Sequence, residues 1–163
     1  VELDPAIAAV YNANFKHKAT VRDFLTVAPD ELDRTEVLQV SPECSRFTLS
    51  HSEGDLDLKF GEHIARHLDY QRPQFFVLEN VRQYANSNAI EPVIDQLRSM
   101  GYSYSLNICN MAHYGLPQSR IRLFLLAARW HRPRLPRMVV FPNSVNSAIE
   151  DLIEGFHQVK FTK

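Results

Sequence analysis

Three short apolar runs punctuate the chain, at residues 37–40 (VLQV), 75–78 (FFVL) and 123–128 (LFLLAA). Each is too short for a helix and is bounded by polar or turn residues. Each therefore predicts a β-strand buried on both faces, as in a parallel sheet. Residues 102–108 (YSYSLNI) alternate more and predict a further, half-exposed strand. Between these runs the period changes to that of a helix. Asp4 as a cap and Pro5 in the first turn open a helix over 6–14, with Ile7, Val10 and Tyr11 on one face. Phe60, Ile64 and Leu68 lie four apart and predict a helix over 59–69. Ile90, Val93, Ile94 and Leu97 follow the 3.6-residue period, and Gly101 closes their helix. The order β-α-β-α-β is that of an α/β, doubly wound, Rossmann-like sheet.

Composition narrows the class. The chain has 163 residues, 45% of them apolar and 23% charged, enough for one domain with a real core. Lys and Arg number 18 against 19 Asp and Glu, which excludes a polycationic tail but not a local basic patch. Two cysteines cannot build a disulfide framework and fit a reducing, cytoplasmic compartment. The run at 123–128 is the longest purely apolar one, far short of the roughly 20 residues of a membrane span. The opening VELDPAIAAV is acidic where a secretory signal is basic, and it lacks an initiator Met, so a trimmed chain is expected. After Trp130 the stretch HRPRLPRMVVFP carries three of the nine prolines and three arginines, and is read as the exit from the core. Residues 144–156 then predict a short helix with Ala148, Ile149 and Leu152 on its apolar side.

In a doubly wound sheet, ligands bind at the C-terminal ends of the strands. Several chemically able residues fall there. Cys44, in SPECSRFT after the first strand, is either a nucleophile or a small buried hydrophobe. Glu79, with Asn80 beside it, ends the strand FFVL and is either a general acid or a capping residue. Gln118, Arg120 and Arg122 alternate, so in an extended chain they share one face, suited to a phosphate or a polar base edge, or to ordinary surface pairing. Glu2 and Asp23 are strand-end acids of the kind that receive ribose hydroxyls. His63 and His67 lie four apart on a predicted helix, but no third ligand has suitable spacing, and no metal is expected. Cys109 lies in a strand-like segment and is read as core. Arg129, Arg132, Arg134 and Arg137, with His131, form either a contact to a nucleic-acid backbone or a solvated linker.

Taken in order, these segments resemble the cytosine-C5 DNA methyltransferase family over nearly the whole chain. VELDPAIAAVYNANF resembles its second motif and ATVRDF the acid-bearing segment that follows. SPECSRFT resembles the Pro-Cys motif, and LENV matches the Glu-Asn-Val motif unchanged. GYSYSLNICNMAHYGLPQSRIR resembles the stretch ending in Gln-x-Arg-x-Arg, and SVNSAIEDL the lead toward the target-recognition region. Glu43 departs from the commonest form, which has Pro before the cysteine; here Pro42 lies one residue earlier. The resemblance implies Cys44 as nucleophile, Glu79 at the base N3, and Arg120 and Arg122 at O2 or a phosphate. Pro42, Asn80 and Gln118 would support them.

The methyl donor so implied is S-adenosylmethionine, with Glu2 on its ribose, Asp23 on its adenine amine, and Leu3 and Phe24 against the adenine faces. The implied substrate is a cytosine flipped out of double-stranded DNA, since C5 is out of reach inside a duplex. A cognate restriction nuclease is a candidate partner, and the nucleoid the expected location. The family's upstream glycine-rich motif is absent from these residues. The expected organisation is a catalytic core over 1–142, a linker and helix over 143–163 leading toward a recognition domain, and a sheet incomplete at both ends. A tRNA cytosine-C5 methyltransferase and a non-catalytic nucleic-acid-binding homologue remain the alternatives.

Overall fold

The computed structural model describes residues 1–43, 55–139 and 144. Helix α1 (Pro5–Asn14) opens the chain as expected. Asp4 Oδ1 accepts the amide hydrogens of Ala6 at 2.7 Å and Ile7 at 3.3 Å, satisfying two of the donors that a helix start leaves open. Then follow β1 (Val37–Val40), α2 (Asp55–Gln71), β2 (Phe75–Asn80), α3 (Ile90–Ser99), β3 (Ser103–Asn110) and β4 (Ile121–Ala128). Gly101 ends α3 in the left-handed region at φ 74°, and the next amide, of Tyr102, donates to the Leu97 carbonyl at 2.9 Å. β2 runs on to include Glu79 and Asn80, and β4 starts early enough to include Arg122. The helix expected over 144–156 lies outside the described residues apart from Ser144.

The sheet has strand order β1-β2-β4-β3. β1 and β2 are parallel, with Val40 opposite Leu78. The all-parallel expectation fails at β4, which is antiparallel to both of its neighbours. The connection explains this. Only residues 111–120 separate β3 from β4, whereas a parallel crossover needs about a dozen residues or more.

Nor are the strands buried on both faces. Along β2, Phe76, Leu78 and Asn80 are buried while their neighbours are partly or fully exposed. Ile64 and Leu68 of α2 and Val93 and Leu97 of α3 join Phe76, Leu78, Leu123, Leu125 and Ala127 in one core, so both helices cover the same face. Across the ladder Val77, Leu126 and Ser105 are aligned, and Ser105 donates to the Pro133 carbonyl at 2.9 Å. Further on, the Val139 amide donates to the His113 carbonyl at 2.8 Å. The described part of the proline-rich stretch, residues 131–139, therefore folds back on the domain rather than leaving it. Apart from the sheet, Glu2 and Val21 form an isolated parallel bridge.

One close approach fixes α2 against the start of α3. A Cβ at Gly61 would sit 2.1 Å from the Ala89 carbonyl oxygen. Alanine would gain about 1 kcal/mol of helix propensity, but a clash this close against backbone falls at the upper end of overpacking costs, about 3 kcal/mol or more. Gly61→Ala is expected to lower stability in urea denaturation by about 1 kcal/mol or more. A variant as stable as the parent would show that this contact does not constrain the helices.

Candidate active site

The parallel register of β1 and β2 brings their C-terminal ends together. Val40 is opposite Leu78, so Ser41 falls beside Glu79, and its hydroxyl donates to Glu79 Oε2 at 2.6 Å. The other carboxylate oxygen, Oε1, accepts from Arg122 Nε at 2.9 Å. This second contact follows from the direction of β4. Glu79 is opposite Phe124 on the antiparallel ladder, so Arg122, two residues earlier, lies on the same face one step past the end of β2. The pair is largely enclosed, with side chains 18% and 25% exposed for Arg122 and Glu79, where a charge-assisted bond is weakly screened.

Asn80 points to the opposite, buried face and is 2% exposed. Its Nδ2 donates to the Pro42 carbonyl at 3.0 Å, and its Oδ1 accepts the Val81 amide at 2.8 Å. One buried amide thus ties the segment after β1 to the end of β2. Cys44 itself lies outside the described residues. The other thiol, Cys109, is buried opposite Arg122 on the β3–β4 ladder, and burial pushes it up from the ordinary thiol range, away from nucleophilic use.

Ser41 and Pro42 also line a cavity of about 650 Å³. Its other walls carry Glu2, Leu3, Ile7, Asp23, Phe24, Phe60 and His67. The four residues expected at a cofactor are therefore together, and they share a cavity with the segment leading to Cys44. Glu2 Oε1 accepts the Asp4 amide at 3.0 Å, and Asp23 Oδ1 accepts the Leu25 amide at 2.9 Å.

Arg120 and Gln118 are not drawn into the Glu79 cluster. β4 begins at Ile121, so of the three only Arg122 is on the strand. Arg120 is exposed just before it, its amide donating to Asn110 Oδ1 at 3.0 Å and its carbonyl accepting from the Met111 amide at 2.9 Å. Gln118 is exposed in the preceding bend. Of the basic cluster, Arg129 is committed to the fold, donating to the Tyr102 hydroxyl at 3.0 Å and to the Arg72 carbonyl. Arg132, Arg134 and Arg137 are exposed and make no ion pair among the described residues. No group of three or more His, Cys, Asp or Glu able to hold a metal is found among the described residues.

The family model for C-5 cytosine-specific DNA methylases matches residues 1–160. The chain belongs to this family. Among its relatives, the type II methyltransferase M.HhaI of Haemophilus parahaemolyticus is 25% identical over 93% of this chain and 48% of its own. M.Bsp6I of Bacillus sp. (strain RFL6) is 27% identical over 78% of this chain and 43% of its own. A human tRNA (cytosine(38)-C(5))-methyltransferase is 25% identical over 82% of this chain and 36% of its own. The chain thus spans less than half the length of these relatives. The fold is shared with a mutant form of DNMT2 from Spodoptera frugiperda, at 23% identity and TM-score 0.71 over 89% of this chain and 49% of that one. It is also shared with a prophage-encoded putative DNA modification methyltransferase of E. coli, at 18% identity and TM-score 0.73 over 91% of this chain and 46% of that one.

Sequence reasoning missed two side chains of this site. Ser41 was legible only through the β1–β2 register, which no local pattern gives. Asn110 organises the turn into β4, accepting the Ala112 and Arg120 amides and donating to Ser119 Oγ at 3.0 Å. An Asn closing a strand and capping the next turn was the available signal. Asn80→Ala is expected to cost about 1–3 kcal/mol, because it leaves the Pro42 carbonyl and the buried Val81 amide without their partner. Urea denaturation reads the loss, and a change below about 0.5 kcal/mol would show that the tie is not structural.

Proposed function

We propose that the complete protein is an S-adenosylmethionine-dependent DNA cytosine-C5 methyltransferase. Residues 1–142 would form its catalytic core, and 143–163 would lead toward a target-recognition domain. The observation that carries this reading is the cluster at the ends of β1, β2 and β4. There Ser41 and Arg122 hold both oxygens of Glu79, while Asn80 holds Pro42, two residues before Cys44.

The cavity fits the donor's adenosine end. Glu2 and Asp23 are two of the four acids, with Asp4 and Glu43, that line this space together with Arg22 and otherwise largely apolar side chains, and its size is within the roughly 300–1,000 Å³ of small-molecule sites. Glu2 would accept from ribose hydroxyls, Asp23 from the adenine amine, and Leu3 and Phe24 would contact the ring faces. S-adenosylmethionine supplies an electrophilic methyl group.

The chemistry assigned to this chain's residues follows from the weakness of cytosine C5 as a nucleophile. The Cys44 thiolate forms a bond to C6, and the electrons of the C5–C6 double bond become available at C5 for the methyl group. Glu79 shares a proton with N3 so that negative charge does not accumulate on the ring. After methyl transfer the C5 proton passes to water, its C–H electrons re-form the C5–C6 double bond, the C6–S bond breaks to release the Cys44 thiolate, and the aromatic ring is restored. Arg122 fixes the carboxylate of Glu79, and Arg120, with its exposed side chain, reaches the base O2 or a phosphate. Gln118 supports the turn into β4. Glu43 places a carboxylate beside Cys44 and opposes formation of its thiolate. Arg132, Arg134 and Arg137, with His131, contact the phosphate backbone. A cytosine flipped from duplex DNA is the substrate, a cognate restriction nuclease the candidate partner, and the nucleoid the location. No helix of the described residues is long and apolar enough to cross a membrane.

The second reading is a tRNA cytosine-C5 methyltransferase, favoured by the tRNA-modifying relatives. Both are tested by incubating the full-length protein with cofactor and with DNA or tRNA carrying 5-fluorocytosine, whose fluorine blocks the final proton loss. A denaturation-resistant adduct with DNA is expected, and Cys44→Ser should reduce its formation by ~10³-fold or more. An adduct with tRNA alone would select the second reading, and an adduct that survives Cys44→Ser would refute the mechanism.

A further inference from the structure

Asp23 and Phe24 sit on a segment held from behind by two buried histidines that the chemistry above does not use. His63 and His67 lie one turn apart on α2 and are 4% and 1% exposed, with ring centres 4.8 Å apart. The Phe24 ring meets both, at 4.7 Å edge-on to His63 and 4.8 Å from His67. His67 Nε2 lies 3.1 Å from the Val27 carbonyl oxygen and 3.1 Å from His63 Nε2. Val27 itself is buried, and His67 lines the same cavity as Glu2 and Asp23.

The partners fix the hydrogens. A guanidinium only donates, so His63 Nδ1, 2.9 Å from Arg66 Nη2, presents its lone pair, and the neutral ring carries its hydrogen on Nε2. A carbonyl only accepts, so His67 also carries its hydrogen on Nε2, and the 3.1 Å approach of the two Nε2 atoms is a donor–donor contact over the Val27 carbonyl rather than a hydrogen bond. The carbonyls of Phe24 and Val27 both act on His63 as well, so the two rings converge on the backbone of one short segment. His67 Nδ1 is left as a buried acceptor with no hydrogen-bond partner among the described residues.

We propose that the His63–His67 pair positions the 23–27 segment for the cofactor's adenosine end, and that a proton added to the pair releases that segment, so that cofactor affinity falls in mild acid. The inference rests on the cofactor role given above to Asp23 and Phe24. A second proton on His67 would go to Nδ1, where no acceptor waits, and would add a cation beside His63 and Arg66. Asp23, the one acid on the facing segment, acts on His63 and not on His67. Glu31, in the next turn packed on α2, is already engaged by Arg22 at 2.6 Å. Burial lowers both histidines from the ordinary imidazole value; Arg66 adds to this at His63, and the Val27 carbonyl partly offsets it at His67. The direction follows from linkage. Both rings have lowered values when the segment is closed, so the closed state binds fewer protons than the open one. Closure is fully favoured above about pH 6.5 and is lost as pH falls through the lowered values.

The test is equilibrium binding of S-adenosylhomocysteine to the full-length protein between about pH 5 and about pH 8. Affinity is expected to be level above about pH 6.5 and to fall below it by up to ~10-fold per pH unit for one linked proton. The double variant His63→Asn, His67→Gln keeps an acceptor toward Arg66 and a donor toward Val27, and neither replacement titrates. It is expected to flatten the profile whatever its affinity at neutral pH. An acid limb that persists in the variant would assign the effect to Asp23 or Glu2 and overturn the proposal, as would a level profile in the parent. Absence of binding at every pH would overturn the cofactor reading itself, and the inference with it. Amide exchange of residues 23–27 in the parent, corrected for its intrinsic pH dependence, needs no variant. Opening that grows below about pH 6.5 supports the proposal, and unchanged protection overturns it.

Discussion

The reversed direction of β4 is the constraint on which the site depends. A strand laid antiparallel between β2 and β3 brings its first residues to the end where β1 and β2 finish. Had β4 run parallel, Arg122 would sit at the far end of the sheet from Glu79. The ten-residue connection from β3 enforces the reversal. Three chain segments far apart in sequence then meet, each fixed by ladder hydrogen bonds, and the carboxylate of Glu79 is gripped from two sides. A group held this way needs little reorganisation to present a lone pair or a proton, which is how preorganised polar sites act.

Asn80 complements this grip from the other face of the same strand. Adjacent residues on a strand point to opposite sides, so β2 offers Glu79 to the open face and Asn80 to the buried one. Through Asn80 the core senses the position of Pro42, and both polar ends of its amide are satisfied. Buried networks of this kind rigidify a site when complete and are costly when broken. The core formed by α2, α3 and one sheet face thus holds the segment after β1 through the Asn80 amide.

The cavity joins this rigid end of the sheet to a lighter structure. Glu2 and Val21 form only an isolated bridge, and Asp23 caps a three-residue turn, Phe24–Thr26. That turn makes its aromatic contacts to α2 with His63 and His67. Helix α2 therefore serves two segments, supporting the sheet core with Ile64 and Leu68 and the 23–27 segment with its histidines.

The sequence by itself determined where the elements lie and which chemically able residues they carry. Local rules suffice for Asp4 capping α1, for Gly101 ending α3, and for Phe60, Ile64 and Leu68 sharing one face of α2, because each acts within a few residues. The Glu-Asn-Val and Gln-x-Arg-x-Arg segments were legible for the same reason, while Cys44 lies outside the described residues. Only the tertiary structure decided that β4 is antiparallel, that Ser41 and Arg122 share Glu79, and that Arg129 serves the fold. An apolar strand reads the same in either direction, since its side-chain alternation is unchanged by reversal. Strand register and direction are settled by pairing between distant segments, and that information is not local to any of them.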